Sequence, residues 1–275
     1  MGGSMNLRDR IGVDLGGRMK LEDGLEWAAA NQFYYVDVCV DNAPNALDSF
    51  PAERLRGIRA RLEASGLHLG LHTLSGVNVA ETSPYLADAA DAYLRAYMDL
   101  SVRLGAQWIV VHAGFHFTSD VEARMTAGRA RLERATEYAE KVGATLLLEN
   151  MNREPDDAEV HYLAHTVEEC RYYFDAIPSP RLGWSFTVNH AHLVAEGIDG
   201  FIDAFGLGRC GEVRLADNKG DKEEHLNPGQ GNIDFAKLFD AIEGAGYRGH
   251  YMNAFGSLDD MLEGREHMIG EFESG

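Results

Sequence analysis

The residues of this sequence most suited to chemistry are histidines and carboxylates that follow short apolar runs. His72 closes His68-Leu-Gly-Leu-His72, His112 follows Trp108-Ile-Val-Val, and Glu149 follows Leu146-Leu-Leu. Farther along come Thr187, Asn189 and His190, then Arg214 and Asp217, then Glu223 and His225 ahead of Pro228-Gly229-Gln230-Gly231, and finally Asn253. A lone histidine at such a place reads as a satisfied structural residue. Four of them with carboxylates read as a functional site. Two imidazoles and one carboxylate leave coordination positions open, the pattern of a catalytic zinc, iron or manganese site. The same histidines serve equally to bind substrate hydroxyls, so a divalent metal and no metal are both compatible with the sequence.

Residues so far apart meet only if their elements are arranged to bring them together. Eight apolar runs alternate with segments of helical period, the pattern of parallel strands joined by crossover helices. The runs are Arg10 to Leu15, Tyr35 to Val40, His68 to His72, Trp108 to His112, Thr145 to Asn150, Leu182 to Val188, Gly211 to Ala216 and His250 to Ala254. Helices are predicted over Tyr85 to Leu104 and Val121 to Val142, with N-terminal capping sequences at Thr166 and Ser257. The count of eight, and 275 residues without a linker or low-complexity tract, predict a single (β/α)₈ TIM barrel, which typically needs about 250 residues. A doubly wound open sheet is the weaker alternative, because no G-x-G-x-x-G follows the first strand. In such a barrel chemistry collects where strands end, which is where these polar residues stand.

The stretches Trp108-Ile-Val-Val-His112-Ala-Gly114, Leu147-Leu-Glu149-Asn150, Val188-Asn-His190-Ala-His192-Leu193 and His225-Leu-Asn-Pro-Gly229-Gln-Gly231-Asn-Ile-Asp234-Phe resemble the xylose-isomerase-like superfamily of sugar-phosphate isomerases, epimerases and endonuclease IV. The resemblance implies a divalent cation on a Glu, an Asp, a His and a Glu from strands five to eight. Those places are Glu149, Thr187, Arg214 and Asn253, so one of the four is kept. A guanidinium has no lone pair for a metal and would repel one. Two other sets, His72 with His112 and Glu149, and His190 with Glu223 and His225, instead resemble parts of the endonuclease branch's three-zinc cluster.

These observations favour an isomerase, epimerase or related lyase acting on a small polyhydroxylated or keto-acid substrate by proton transfer next to a carbonyl. In that reading Glu149 is the base, His190 or His225 the acid and Arg214 the electrophile, with an ion pair from Arg214 to Glu149 or Asp217 as its structural alternative. His72, His112, Asn189, Asn253, Thr187 and Asp217 would contact substrate. Competing readings are a non-catalytic metabolite-binding barrel and an endonuclease IV-like phosphodiesterase. Trp184, Phe186, Phe115, Phe117 and Phe255 are candidates for an apolar pocket wall, and Lys219 and Lys222 for meeting an anion.

Composition limits the partners. The formal charge of −19, from 44 acidic and 25 basic residues, opposes nucleic-acid binding, which rests on cationic contacts to phosphate. A small-molecule partner is expected, with neither nucleic acid nor membrane, and a homo-oligomer is compatible with the sequence. Three scattered cysteines fit neither a disulfide framework nor a thiolate metal site and suit a reducing cytoplasm, with Cys39 read as a small core residue. Met1-Gly2-Gly3-Ser4-Met5 reads as an expression scar before a native start, and residues 6–275 as one domain.

Overall fold

The computed structural model describes residues 6–117 and 119–274. The five residues read as a scar lie outside that range. Eight parallel strands close into a barrel, each bonded to the next and the last to the first: β1 (Ile11–Asp14), β2 (Tyr35–Val38), β3 (His68–His72), β4 (Trp108–Val111), β5 (Leu146–Glu149), β6 (Leu182–Thr187), β7 (Cys210–Leu215) and β8 (His250–Asn253). The expected single (β/α)₈ barrel is therefore what forms, and the open sheet is excluded by the pairing of β1 with β8. Each observed strand lies within two residues of its predicted bounds. The polar residue following an apolar run falls just past the strand in several cases, His112 after β4 among them.

Covered on both faces, β4 and β5 are buried along their whole length, which is why their sequences WIVV and LLLE show no alternation. Helices pack outside. Pro84–Leu104 begins on a proline that has no amide to leave unsatisfied, and Val121–Val142 ends at Gly143 with φ +84, the left-handed cap that glycine adopts without strain. Thr166 accepts from the Glu169 amide, as its capping sequence predicted. Ser257 accepts from the Asp260 amide in the same way.

The barrel interior carries charge. Asp37 from β2 and Glu212 and Arg214 from β7 are all buried inside it, and Gly70 on β3 makes the room: a Cβ there would lie 2.2 Å from Asp37 Oδ1 and 2.1 Å from the Trp108 ring. The aromatic residues expected at the pocket wall have other positions. Trp184 and Phe186 stack outside the barrel on Phe201, and Phe255 is also packed in the core. Cys39 is only half-buried, its thiol bonded to Asp41 at 2.9 Å, and burial followed by that bond pushes its pKa up to about 11.

One feature had no sequence signal. Phe115–Phe117 and Val160–Tyr162 pair antiparallel above the barrel, joining the loops after β4 and β5. No helix among the described residues is long and apolar enough to cross a membrane.

Candidate active site

At the C-terminal ends of the strands lies an open pocket of about 290 Å³. Both predicted His and Glu sets line it, with Asp14, Arg18 and Arg214 beside them. In the first set, His112 Nε2 is 3.1 Å from Glu149 Oε2 and 3.2 Å from His72 Nε2, and His72 Nε2 is 3.5 Å from the same carboxylate oxygen. In the second, Glu223 Oε1 is 2.8 Å from His225 Nε2 and 3.4 Å from His190 Nε2. His190 Nδ1 also comes within 3.6 Å of Glu149 Oε1, so the two sets adjoin.

The outer ring nitrogens decide what these imidazoles offer. His190 Nδ1 donates to the Asn150 carbonyl at 2.8 Å, and His225 Nδ1 donates to the Ala254 carbonyl. Thr73 gives its own hydroxyl proton to the Val110 carbonyl at 2.9 Å, so its oxygen accepts from His112 Nδ1 at 3.2 Å. With Nδ1 holding the proton, a neutral ring turns a bare Nε2 lone pair towards a carboxylate oxygen. Two acceptors facing each other at hydrogen-bond distance need a cation between them, a proton or a metal. Fixing the far nitrogen on a carbonyl or hydroxyl is also how metal-binding histidines are oriented. Both sets therefore fit a divalent cation by donor type and by orientation.

Electrostatics agree with that fit. Burial acts upward on Glu149, but its contacts with His112 and His72 outweigh it and hold its carboxyl well below the ordinary carboxylate range. Burial likewise opposes ionisation of Glu223, yet bonding to His190 and His225 brings it down to about 2. His112 is lowered by burial despite Glu149, whereas His72 is raised because Glu149 prevails over burial and Arg214. Both carboxylates are anions across the neutral range.

The remaining predicted residues support the site without lining it. Thr187 is buried and donates its hydroxyl to Glu149 Oε1 at 2.6 Å. Asn189 donates to Glu223 Oε1 at 3.1 Å. Asn253 donates to the Met261 carbonyl and anchors the last helix. Asp217 is fully buried, and its carboxylate collects the amides of Gly229 at 3.0 Å, Gly231 at 2.8 Å and Ile233 at 3.1 Å. The Pro-Gly-Gln-Gly motif is thus a backbone wrap around Asp217; a Cβ on Gly231 would come within 2.2 Å of it. That wrap pins the loop that carries Glu223 and His225.

Arg214 does line the pocket, but its ion-pair partners differ from those expected. It is bonded to Asp14 at 2.6 Å, to Glu212 at 3.0 Å and to Asp37, rather than to Glu149 or Asp217. Lys219 and Lys222 are exposed and outside the lining, the latter paired with Glu224. Residues the sequence reading missed are Asp14, Arg18, Ser75, Asn152 and Tyr162. Asp14 ends β1 as His72 ends β3, so the same strand-end rule would have found it; Tyr162 belongs to the outer strand pair and gave no signal.

Known proteins resemble this chain at several levels. An uncharacterized protein of Methanocaldococcus jannaschii, MJ1311, is 26% identical over 198 residues, covering 70% of this chain and 65% of its own length. A probable endonuclease 4 of Geobacillus kaustophilus is 25% identical over 201 residues, covering 64% of each. In both cases the chain spans just under two thirds of the relative. Among solved structures, a D-tagatose 3-epimerase-like protein superposes with a TM-score of 0.83 at 20% identity, covering 96% of this chain and 97% of the other. Endonuclease IV of Thermus thermophilus superposes with a TM-score of 0.75 at 19% identity, covering 97% of this chain and 100% of the other. At such identities these two show the fold alone. A family model matches residues 25–268, most of the chain, and the protein belongs to the xylose isomerase-like TIM barrel family.

Proposed function

We propose that this protein is an enzyme in which His72, His112 and Glu149 hold one divalent cation and His190, Glu223 and His225 a second. Its reaction is proton transfer next to the carbonyl of a small polyhydroxylated or keto-acid substrate. The observation that carries the reading is the set of three imidazoles, His112, His190 and His225, whose outer nitrogens are committed to backbone or hydroxyl oxygens and whose inner nitrogens face a carboxylate. A cation bound there supplies Lewis acidity to a substrate carbonyl or hydroxyl.

The roles change accordingly. Glu149, with one oxygen taken by Thr187 and the other facing two imidazoles, acts as an anchoring anion and not as a base tuned to neutral pH. Asp14 is the pocket carboxylate outside both histidine sets; the Gly16 amide at 2.7 Å and Arg214 orient it, which makes it the candidate to carry the proton. Arg214, surrounded by three carboxylates, sets the position of Asp14 and contributes little net positive field to a substrate.

Metal analysis of protein purified without chelator, joined to proton exchange into D-tagatose and D-fructose in deuterated water, tests the reading. Two equivalents of metal and deuterium at the carbon beside the carbonyl are expected. Metal-free protein, or no exchange with any ketose or keto acid tried, sinks it. The second reading, phosphodiester cleavage, is favoured by the two His and Glu sets and by relatives named as probable endonucleases. Thr187, Arg214, Asn253 and the charge of −19 oppose it, and nicking of an abasic duplex at low salt would establish it.

A further inference from the structure

Two permanently charged side chains line the pocket, Arg214 and Arg18, and their surroundings differ. Arg214 is matched by Asp14, Asp37 and Glu212. Arg18 stands exposed at the mouth, on the loop after β1, and pairs with no carboxylate among the described residues. Its guanidinium is held by two carbonyls alone, Asp14 O at 2.9 Å through one terminal nitrogen and Gly256 O at 3.1 Å through the other. Gly16, with φ +54, turns the loop so that the Arg18 terminal nitrogen lies 3.4 Å from where a Cβ would stand. The group is thus fixed in direction by oxygens that leave its charge uncompensated. A guanidinium has five N–H donors, and two are used here.

We propose that Arg18 is a specificity-determining residue that pairs with an oxyanion on the substrate, a carboxylate or a phosphate, so that an anionic polyhydroxylated compound is preferred over a neutral sugar. The inference rests on the pocket being the substrate site, as proposed above. Its physical basis is that a planar fork matches a carboxylate or phosphate through two parallel bonds, and that pinning the fork beforehand lowers the entropy lost on binding. Strand ends supply the floor of the pocket, and Arg18 at its rim fixes which end of the substrate faces out.

The test is calorimetric titration of the intact protein with D-gluconate, inorganic phosphate and D-fructose, before and after Arg18→Gln. At least one anion is expected to bind, with its Kd rising tenfold or more in Arg18→Gln and partly restored in Arg18→Lys, while D-fructose is unaffected. Preference for gluconate would assign a carboxylate, and preference for phosphate a phosphate ester. Since Arg18 also ties two loops together, salt is varied in the unsubstituted protein: anion affinity must fall with ionic strength and D-fructose affinity must hold. Equal anion affinity in both proteins, or affinity insensitive to salt, overturns the proposal. Tight binding of an abasic duplex, weakened by Arg18→Gln, overturns it in favour of a nucleic-acid phosphate. None of these readouts requires turnover or bound metal, so failure here is distinct from failure of the proton-transfer reading.

Discussion

The hydroxyl of Thr187 donates to Glu149 Oε1 at 2.6 Å, joining the ends of β5 and β6 across the floor of the pocket. The position that in the resembling isomerases carries an anionic ligand here supplies a proton donor to the neighbouring anion. Replacing the donor by an isosteric methyl in Thr187→Val leaves a buried carboxylate oxygen without its partner, a loss of about 1–3 kcal/mol. Urea unfolding should show a lower midpoint with an unchanged slope, and an unchanged midpoint would mean that this bond is replaced by solvent.

Asp217 should matter to the site from a distance. Asp217→Ala strands the amides of Gly229, Gly231 and Ile233, the last of them buried, at an expected cost of about 1–3 kcal/mol. Because the wrapped loop carries Glu223 and His225, of the two cations proposed above the one on the second set should be lost first. Limited proteolysis between residues 218 and 232, followed with metal content, checks both expectations.

The Arg214 cluster should respond to charge balance more than to size. Arg214→Met leaves Glu212 buried with His250 as its remaining partner, and Asp37, which burial pushes up to about 8, without its guanidinium donor, and should destabilise by about 3–5 kcal/mol, as broken buried ion pairs do. Removing one of the opposing charges as well, in Arg214→Met with Glu212→Gln, should recover part of that loss. A double-mutant cycle with additive effects would refute the coupling.

Under the proposed two-cation reading, chelation should cost stability as well as activity. A cation held by side chains from separate strands binds only the folded chain, so chelation is expected to lower Tm, and readdition of zinc or manganese to restore it in a concentration-dependent way. Glu149→Gln should abolish that dependence for the first set while the barrel stays folded.

Away from the site, His165 and Glu169 give a pH signature. Burial disfavours the imidazolium of His165, but Glu169 at 3.0 Å outweighs it and raises its pKa above 6.5. Burial acts upward on Glu169, and His165 reverses that and holds it below 4.5. A raised histidine stabilises fully below its unfolded value and loses this as pH rises through the folded one. A lowered carboxylate stabilises above its unfolded value and loses this as pH falls through the folded one. The pair therefore contributes most between about 4.5 and 6.5, and His165→Gln should lower Tm most in that window, with the difference shrinking towards pH 8.

The strands were legible because a (β/α)₈ strand is buried on both faces and so writes itself as a short apolar run, and the site histidines were legible because a polar residue ending such a run has no packing reason to be there. His72, His112 and Glu149 followed from that rule, whereas Glu223 and His225 lie on a loop and joined His190 through the family resemblance. What the chain could not disclose was which strand-end residues point into the pocket. Asp217 and Asn253 follow the same pattern as His112, yet one serves a loop and the other a helix, because backbone groups reached them first. The partners of Arg214 lie up to 200 residues away on β1 and β2, and only barrel closure brings them within 3 Å of its guanidinium. Sequence alone determined the barrel, the gathering of polar residues at its strand ends and the two candidate ligand sets; tertiary structure decided which polar groups are already satisfied by the protein, since hydrogen-bond partners across a closed sheet depend on distance in space and leave no spacing along the chain.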